Sequence, residues 1–195
     1  MKIGIYSARD AGIVKDTSID YIAADYGIVH LLKQNIQPVI AIGDFDTLED
    51  RSILNNVEVI TFPAKKDESD TELALIYAIK QGYNVIDIYG VTGGRLDHFM
   101  ATLCLLEKYQ QYDITIYDES NKISLLRQGH HELDINTDSY FSLFALDEVT
   151  ISLKNCLYPI EDYTLVRSDP LCLSNQSLGR VIIDTDNLVL LIESR

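Results

Sequence analysis

The pattern of hydrophobic and polar positions divides the chain into two parts. Up to about residue 118, short runs that are apolar on both faces alternate with stretches of helical period. The β-type runs are KIGIY (2–6), YIAA (21–24), PVIAIG (38–43), VEVITF (57–62), NVIDIYG (84–90) and DITIYD (113–118). Helix-like segments cover 26–34, 48–55, 70–81 and 95–109. Strands of this kind, separated by helices, are typical of a parallel sheet covered by helices.

After residue 118 the helical period almost disappears. Residues 122–195 contain the β-type runs KISLLR, HHELDI, SYFSLFAL, EVTISL, RVIID and NLVLLIES, with turn-forming residues between them. Such a pattern predicts an antiparallel sandwich or barrel. We therefore expect an α/β plus all-β chain, with a parallel-sheet α/β domain over 1–120 and an antiparallel β-sandwich over 121–195.

The formal net charge of the chain is −14, from 16 Lys and Arg against 30 Asp and Glu. A polyanion repels phosphate backbones, so we expect no nucleic-acid partner. The same charge disfavours a phosphorylated small molecule unless a divalent cation bridges the acids and the phosphates.

The cysteines and the apolar runs indicate the compartment. Cys104, Cys156 and Cys172 are widely spaced and form no CxxC pair, which is typical of reduced thiols that pack inside a cytosolic protein. No apolar run approaches the ~18–20 residues that span a bilayer, and the start, MKIGIYSARD, does not read as a secretory signal. We expect a cytoplasmic protein.

Acidic residues follow four successive strands of the predicted parallel sheet. They are Asp25, which follows YIAA, and the acids of the segments GDFD (43–46), KDESD (66–70) and GGRLDH (93–98). Ligands of parallel α/β sheets bind at the carboxyl ends of the strands. We therefore expect these residues to share one edge of the sheet.

The segment 66–72 combines a helix start with surplus charge. Ser69 and Glu72 match a capping box, which stabilises a helix by roughly 1 kcal/mol, and Asp70 suits the helix dipole. Capping gives less reason for Asp67 and none for Lys66. Taken alone, the segment also fits a solvated helix start.

Asp44 and Asp46 lie two positions apart at a strand end, where Gly43 permits a bend. Carboxylates held ~4 Å apart repel by about 4 kcal/mol at an effective dielectric of 20. A lone DxD is common on protein surfaces, but a cluster of Asp44, Asp46 and Asp70 predicts a cation among them. Hard oxygen ligands of this type suit Mg²⁺.

GGRLDH follows a strand and precedes an apolar helix. Gly93 and Gly94 let the backbone approach a ligand closely, and amides at a helix start can hold phosphate. Arg95 offers a planar fork to phosphate oxygens, with Asp97 and His98 in the first turn. The alternative interpretation is a glycine loop followed by an Arg–Asp surface pair.

The motifs GDFDT (43–47), KDESDTELAL (66–75) and GGRLDHFMA (93–101) resemble those of the thiamine pyrophosphokinase family in order and spacing. SLFAL, EVTISLKNCLYPI (148–160) and LSN (173–175) are similar to the closing β-domain of that family. The resemblance implies an N-terminal domain that binds ATP and Mg²⁺, a C-terminal β-sandwich that helps bind thiamine, and a homodimer with active sites between subunits. It also implies transfer of a pyrophosphoryl group from ATP to the thiamine hydroxyl, giving thiamine diphosphate and AMP.

The resemblance assigns roles by position. Asp44, Asp46 and Asp70 correspond to Mg²⁺ ligands, and Ser174 and Asn175 to thiamine contacts, although these two could instead cap a turn. The nucleotide and catalytic surroundings comprise Asp25, Lys66, Asp67, Gly93, Gly94, Arg95, Asp97 and His98. In catalysis we expect Arg95 to stabilise the charge on departing AMP, and Asp70 or Asp97 to accept the hydroxyl proton.

Three departures leave alternatives open. Asp25-Tyr26-Gly27 stands where the family shows Asp-Gly-Gly, YSARDAG replaces a small-residue turn, and the chain has no Trp. A sensor that keeps the fold without turnover is therefore one alternative. A DxD phosphohydrolase with Asp44 as nucleophile is another, although Leu48 occupies the position where that motif requires Thr or Val.

Overall fold

The computed structural model describes residues 1–63 and 67–195. The chain is mostly sheet and divides into two compact units, Met1–Glu119 and Ser120–Arg195. No helix in the described ranges is both long enough and apolar enough to cross a membrane.

The first unit contains one parallel sheet and its helices. The strands are β1 (Lys2–Tyr6), β2 (Asp20–Ala24), β3 (Ile40–Gly43), β4 (Glu58–Thr61), β5 (Val85–Tyr89) and β6 (Asp113–Tyr117), and the helices are α1 (Gly27–Lys33), α2 (Asp70–Lys80) and α3 (Leu96–Lys108). The strand order is β6-β5-β1-β2-β3-β4, and each of these pairings is parallel. The apolar runs therefore correctly predict a parallel sheet in this part of the chain.

One predicted helix is wrong. Residues 48–55 were expected to be helical, whereas the structure has a short 3₁₀ helix at Arg51–Asn56, capped by the Asp50 side chain, which accepts from Ser52 N. None of its residues is buried. Only Ile53 and Leu54 pack against the core, and both are partly buried. With two adjacent Asn residues at its end, the segment has little to favour a full α-helix.

A layer of tyrosines lies in the core of the first unit. The Tyr6 ring stacks on Tyr89 with the centroids 5.8 Å apart, and Tyr89 stacks on Tyr117 at 5.5 Å. Burial raises the pKa of Tyr89 to about 12, so its phenol stays neutral. The Tyr6 hydroxyl accepts from Ala11 N and the Tyr89 hydroxyl from Lys15 N. These bonds anchor the segment that follows β1 to the core.

The second unit is antiparallel. Its strands are β7 (Asn121–Leu126), β8 (Gly129–Leu133), β9 (Tyr140–Ala145), β10 (Val149–Cys156), β11 (Ile160–Leu165), β12 (Asn175–Thr185) and β13 (Val189–Ser194). The start of β12 pairs with β9, while its later residues pair with β8 and β10. Buried side chains from these strands form one hydrophobic cluster.

The hydrophobic pattern missed β11. This strand pairs with β10 and carries the exposed acids Glu161 and Asp162, the latter with a left-handed backbone at φ 45°. Its apolar alternation is weak because few of its side chains enter the core. A pattern that relies on burial therefore gives little signal here.

Candidate functional site

A cavity of about 630 Å³ opens in the first unit where several strands end. It is bounded by residues that follow β1, β2, β3 and β5 and by the first turns of α2 and α3. Of the residues singled out in the sequence, those that line it are Asp25, Asp44, Asp70, Gly94, Arg95, Asp97 and His98. The structure thus brings together residues from separate motifs at one edge of the parallel sheet.

The remaining candidates of this unit lie differently. Asp67 is exposed, and neither it nor Gly93 is among the described residues that line the cavity. Asp46 does not line the cavity itself but meets Asp44, which does. Lys66 lies outside the described residues, so its expected role is not addressed by the structure.

Asp25, Asp44 and Asp46 form an acidic group. Each offers a carboxylate oxygen, and the three oxygens lie within 4.8 Å of one another. Asp25 and Asp44 directly follow β2 and β3, which are neighbours in the sheet. A Cβ at Gly43 would lie 3.1 Å from the Asp25 Cα, so the missing side chain allows this approach.

The backbone of the 44–46 turn is strained. Phe45 in this turn adopts φ 55°, a left-handed value that non-glycine residues rarely occupy. Asp25, which follows β2, has a similar φ of 49°. The Phe45 side chain is only 1% exposed and packs in the core, and the Asp46 amide donates to Asp44 Oδ1 at 3.2 Å. Core packing thus holds a turn that keeps the two flanking carboxylates together.

The electrostatics of the group favour a cation. Burial raises the pKa of Asp25, and the negative charges of Asp70 and Asp44 raise it further. Hydrogen bonds from the Thr47 hydroxyl to the Asp25 carboxylate, each 3.3 Å long, only partly offset this. Hard carboxylate oxygens that repel one another are a donor set that fits Mg²⁺.

Asp70 lines the same cavity but is not one of the three grouped acids. Its charge is close enough to raise the pKa of Asp25. The expected metal-ligand role of Asp70 therefore stays a prediction, while the geometry adds Asp25 to the candidate ligands.

Arg95 and Asp97 form a two-pronged ion pair. Arg95 Nε lies 3.1 Å from Asp97 Oδ1, and an Arg95 terminal nitrogen lies 2.5 Å from Oδ2. The hydrogen bonds from Arg95 lower the pKa of Asp97 to about 2. Both carboxylate oxygens of Asp97 are thus engaged by Arg95, so the pair favours Asp97 as the residue that orients Arg95.

The start of α2 confirms half of the predicted capping box. The Ser69 hydroxyl accepts from Glu72 N at 3.2 Å. The Glu72 carboxylate does not return the bond to Ser69 in the described contacts but accepts from Lys108 Nζ (2.6 Å) and the Tyr109 hydroxyl (3.0 Å) on and after α3. The local sequence pattern could not predict these two hydrogen bonds, because they join α2 to residues more than 30 positions away.

Arg9 also lines the cavity, although none of the motifs in the sequence predicts it there. A Cβ at Gly94 would lie only 2.5 Å from Arg9 Nε, so the Arg9 guanidinium rests against the loop before α3. The available signal was the sequence YSARDAG, in which a long cationic residue replaces an expected small one.

The two candidates of the second unit differ in exposure. Asn175 is 2% exposed, and its amide accepts from Tyr158 N (3.0 Å) and donates to Tyr158 O (2.9 Å). Asn175 therefore fixes the turn after β10. Ser174 is exposed, with a left-handed φ of 56°. Thiamine contact by these two residues stays a prediction.

Comparisons with known proteins agree on one family. The family profile described as "Thiamin pyrophosphokinase, catalytic domain" matches residues 14–117. The thiamine pyrophosphokinase of Bacillus subtilis (strain 168) is 33% identical over 165 residues, which cover 80% of this chain and 77% of that protein.

Solved structures extend the similarity to the whole chain. The crystal structure of thiamine pyrophosphokinase from Bacillus subtilis matches with a TM-score of 0.89 and 27% identity, covering 100% of this chain and 99% of the other. The thiamin pyrophosphokinase from Geobacillus thermodenitrificans matches with a TM-score of 0.88 and 26% identity, covering 100% and 98%.

Asp46→Asn tests the acidic group as a metal site. Removing one carboxylate charge should weaken Mn²⁺ binding, measured by calorimetry, by roughly tenfold or more, since hydrogen bonds and contacts to charged groups contribute about 1.5–3 kcal/mol. Asp46 is exposed, so the fold should persist. The matched control is Glu49→Gln, an equal charge change at an exposed residue outside the group. Equal Mn²⁺ affinities for wild type and Asp46→Asn would contradict the assignment.

Proposed function

The chain belongs to the thiamine pyrophosphokinase family of kinase-type pyrophosphoryl transferases, and we propose that its donor is ATP, bound with Mg²⁺, and its acceptor the hydroxyl of thiamine. The products are then thiamine diphosphate and AMP. The family resemblance that the three motifs indicate is confirmed by the comparisons. Family membership does not favour the sensor or the phosphohydrolase.

One observation supports this proposal most strongly. The acidic group and the Arg95–Asp97 pair adjoin a single cavity of about 630 Å³. Pyrophosphoryl transfer asks little covalent chemistry of a protein and depends mainly on positioning and charge neutralisation. A cavity with hard oxygen ligands and cationic forks fits both requirements.

Asp25, Asp44 and Asp46 are the residues that would hold Mg²⁺, with Asp70 beside them. A divalent ion held by these carboxylates would supply positive charge that neutralises the phosphates of ATP. This arrangement reconciles the net charge of −14 with a polyanionic substrate.

The other residues of the cavity position the reacting groups. Arg95, held by Asp97, would stabilise the charge that develops on AMP as it leaves. Asp70 is our assignment for the proton acceptor, because both carboxylate oxygens of Asp97 are engaged by Arg95. The proposed nucleotide contacts are Asp25, Gly93, Gly94 and His98, together with Lys66 and Asp67 on the basis of the sequence alone.

For the second unit we propose a role in thiamine binding. We assign Met1–Glu119 to ATP and Mg²⁺ binding and Ser120–Arg195 to a β-sandwich that helps bind thiamine. In Ser120–Arg195, strand β12 pairs with β9 at its start and with β10 further on, and the buried side chains form one hydrophobic cluster. Both features are compatible with two packed sheets. The exposed Ser174 hydroxyl is the proposed thiamine contact, with Asn175 fixing the neighbouring turn.

The proposal also covers compartment and assembly. We propose a cytoplasmic enzyme, in which the free thiols of the exposed Cys104 and of the buried Cys156 and Cys172 would stay reduced. The second unit exposes large apolar side chains, among them Leu157, Tyr158, Leu171, Leu173 and Leu178. Exposed apolar surface of this kind is typical of protein–protein interfaces, and it supports a homodimer with the active sites at the subunit interface.

Product analysis tests the reaction directly. Protein incubated with ATP, Mg²⁺ and thiamine should yield AMP and thiamine diphosphate in equal amounts, and omission of thiamine should abolish AMP formation. Nucleotides are separated and quantified by ion-exchange chromatography. ADP with thiamine monophosphate would instead indicate a simple kinase. If neither AMP nor ADP forms, the protein is a binding module.

Asp70→Asn tests the assigned proton acceptor. We expect turnover to fall by about 10²-fold or more, in the range by which general bases accelerate reactions. Mn²⁺ affinity should fall less than in Asp46→Asn. Glu68→Gln, which neutralises another acid that lines the cavity, serves as the matched control and should retain turnover. Near-normal turnover of Asp70→Asn would eliminate the assignment.

Light scattering coupled to size-exclusion chromatography tests assembly. The expected mass is about twice the chain mass of 22.0 kDa. Leu173→Asp places a charge on an exposed apolar position and should shift the protein toward monomer. Thr137→Asp adds the same charge at an exposed polar position and should leave the mass unchanged. A wild-type mass of one chain at micromolar concentration would rule out the homodimer.

A further inference from the structure

The segment that follows β1 is bound to the end of β5. Ser7 N donates to Tyr89 O at 2.8 Å, and Arg9 N donates to Gly90 O at 3.0 Å. Gly90 has φ 73°, and a Cβ there would lie 2.5 Å from Arg9 O. The absence of a side chain at Gly90 is what lets the Arg9 backbone come so close.

Two helices hold the same segment from other directions. The Ser7 hydroxyl lies 2.5 Å from the Thr71 hydroxyl in the first turn of α2, and this contact is buried. Ala8 O lies 3.2 Å from Nε2 of His30, a buried residue of α1. The backbone that carries Arg9 is therefore fixed by β5, α1 and α2 together, unlike that of an ordinary surface arginine.

The Arg9 side chain lies across the loop before α3. A Cβ at Gly94 would be 2.5 Å from Arg9 Nε and 3.1 Å from Cζ, so the guanidinium occupies the space that a side chain at Gly94 would need. Both residues line the cavity. Arg9 is thus placed beside the start of α3, whose N-cap residue Arg95 makes no side-chain capping bond.

The two arginines of the cavity differ in their partners. Arg95 is engaged by Asp97 through two contacts. Arg9 makes no ion pair with any residue in the ranges 1–63 and 67–195, although the cavity is lined by the acids Asp25, Asp44 and Asp70. A permanently charged guanidinium on a fixed backbone, with no ion-pair partner among the described residues, is suited to an anionic ligand.

We propose that Arg9 binds the polyphosphate of the nucleotide, providing a second cationic contact beside Arg95. The inference deepens the proposed function and rests on it for the identity of the nucleotide. Arg95 already donates two hydrogen bonds to Asp97, whereas no described carboxylate lies within ion-pair distance of the Arg9 guanidinium. The bidentate fork of Arg9 matches two phosphate oxygens, and its charge offsets the acids of the cavity.

The test measures three ligands against four proteins. Mg·ATP, Mg·tripolyphosphate and adenosine are titrated calorimetrically into wild type, Arg9→Ala, Arg9→Lys and Arg167→Ala. Arg167 is an exposed arginine that does not line the cavity, so its variant controls for net charge. Thermal unfolding of each variant verifies the fold.

Arg9→Ala should weaken binding of both Mg·ATP and Mg·tripolyphosphate by roughly tenfold or more, as expected for the loss of a charge-assisted contact. Adenosine binding should not change, because only the phosphates contact Arg9. Arg9→Lys keeps the charge without the fork and should lose affinity by a smaller, measurable factor. Arg167→Ala should match wild type for all three ligands.

Two results would overturn the inference. One is equal Mg·ATP affinity for wild type and Arg9→Ala or, if Arg9→Ala does not fold, for wild type and Arg9→Lys. The other is a parallel loss of adenosine binding, which would indicate a structural role. A wild type that binds tripolyphosphate through Arg9 yet forms no AMP with thiamine would defeat the proposed function and leave the phosphate contact standing.

Discussion

Carboxylates at the carboxyl ends of neighbouring parallel strands repel one another, and the first unit places several of them at one edge. Asp25 and Asp44 follow adjacent strands, and Asp46 joins them through a turn with a left-handed Phe45. The core fixes this turn because the Phe45 side chain is buried. The strain and the repulsion concentrate at the same place, and a divalent cation there would offset the repulsion.

The cationic side chains of the cavity complement this acidic group. Arg95 is oriented by Asp97, and Arg9 is carried by a segment bound to β5 and two helices. The tyrosine layer supports this segment from the core side through the Tyr6 hydroxyl. In the proposed reaction, the groups that would bind the metal and the phosphates are therefore positioned by the parallel sheet before any ligand is bound.

Much of this arrangement could be predicted from the sequence. The run KIGIY coincides with β1, and the GDFD and GGRLDH motifs lie at the ends of β3 and β5, because apolar runs and glycines report directly on strands and turns. Two elements were not predicted correctly, one in each unit. The edge strand β11 of the second unit fully buries one side chain, and the short helix at Arg51–Asn56 of the first unit fully buries none, so neither has a strong hydrophobic pattern.

The details that escaped the sequence are those that tertiary contacts decide. Asp25 lies in the acidic group because Gly43 lets two strand ends approach each other. The Glu72 carboxylate accepts a hydrogen bond from Lys108 of α3 and does not cap its own helix in the described contacts. Arg9 reaches the cavity across Gly94, a contact between residues distant along the chain. No local period or motif encodes such distances.

The most direct test of the central claim is a crystal structure with Mn²⁺ and a non-hydrolysable ATP analogue, in which anomalous scattering locates the ion. We predict an anomalous peak at direct coordination distance, about 2 Å, from carboxylate oxygens of the group Asp25, Asp44 and Asp46 and from phosphate oxygens of the analogue. A nucleotide bound with its phosphates and ion remote from these carboxylates would contradict the account.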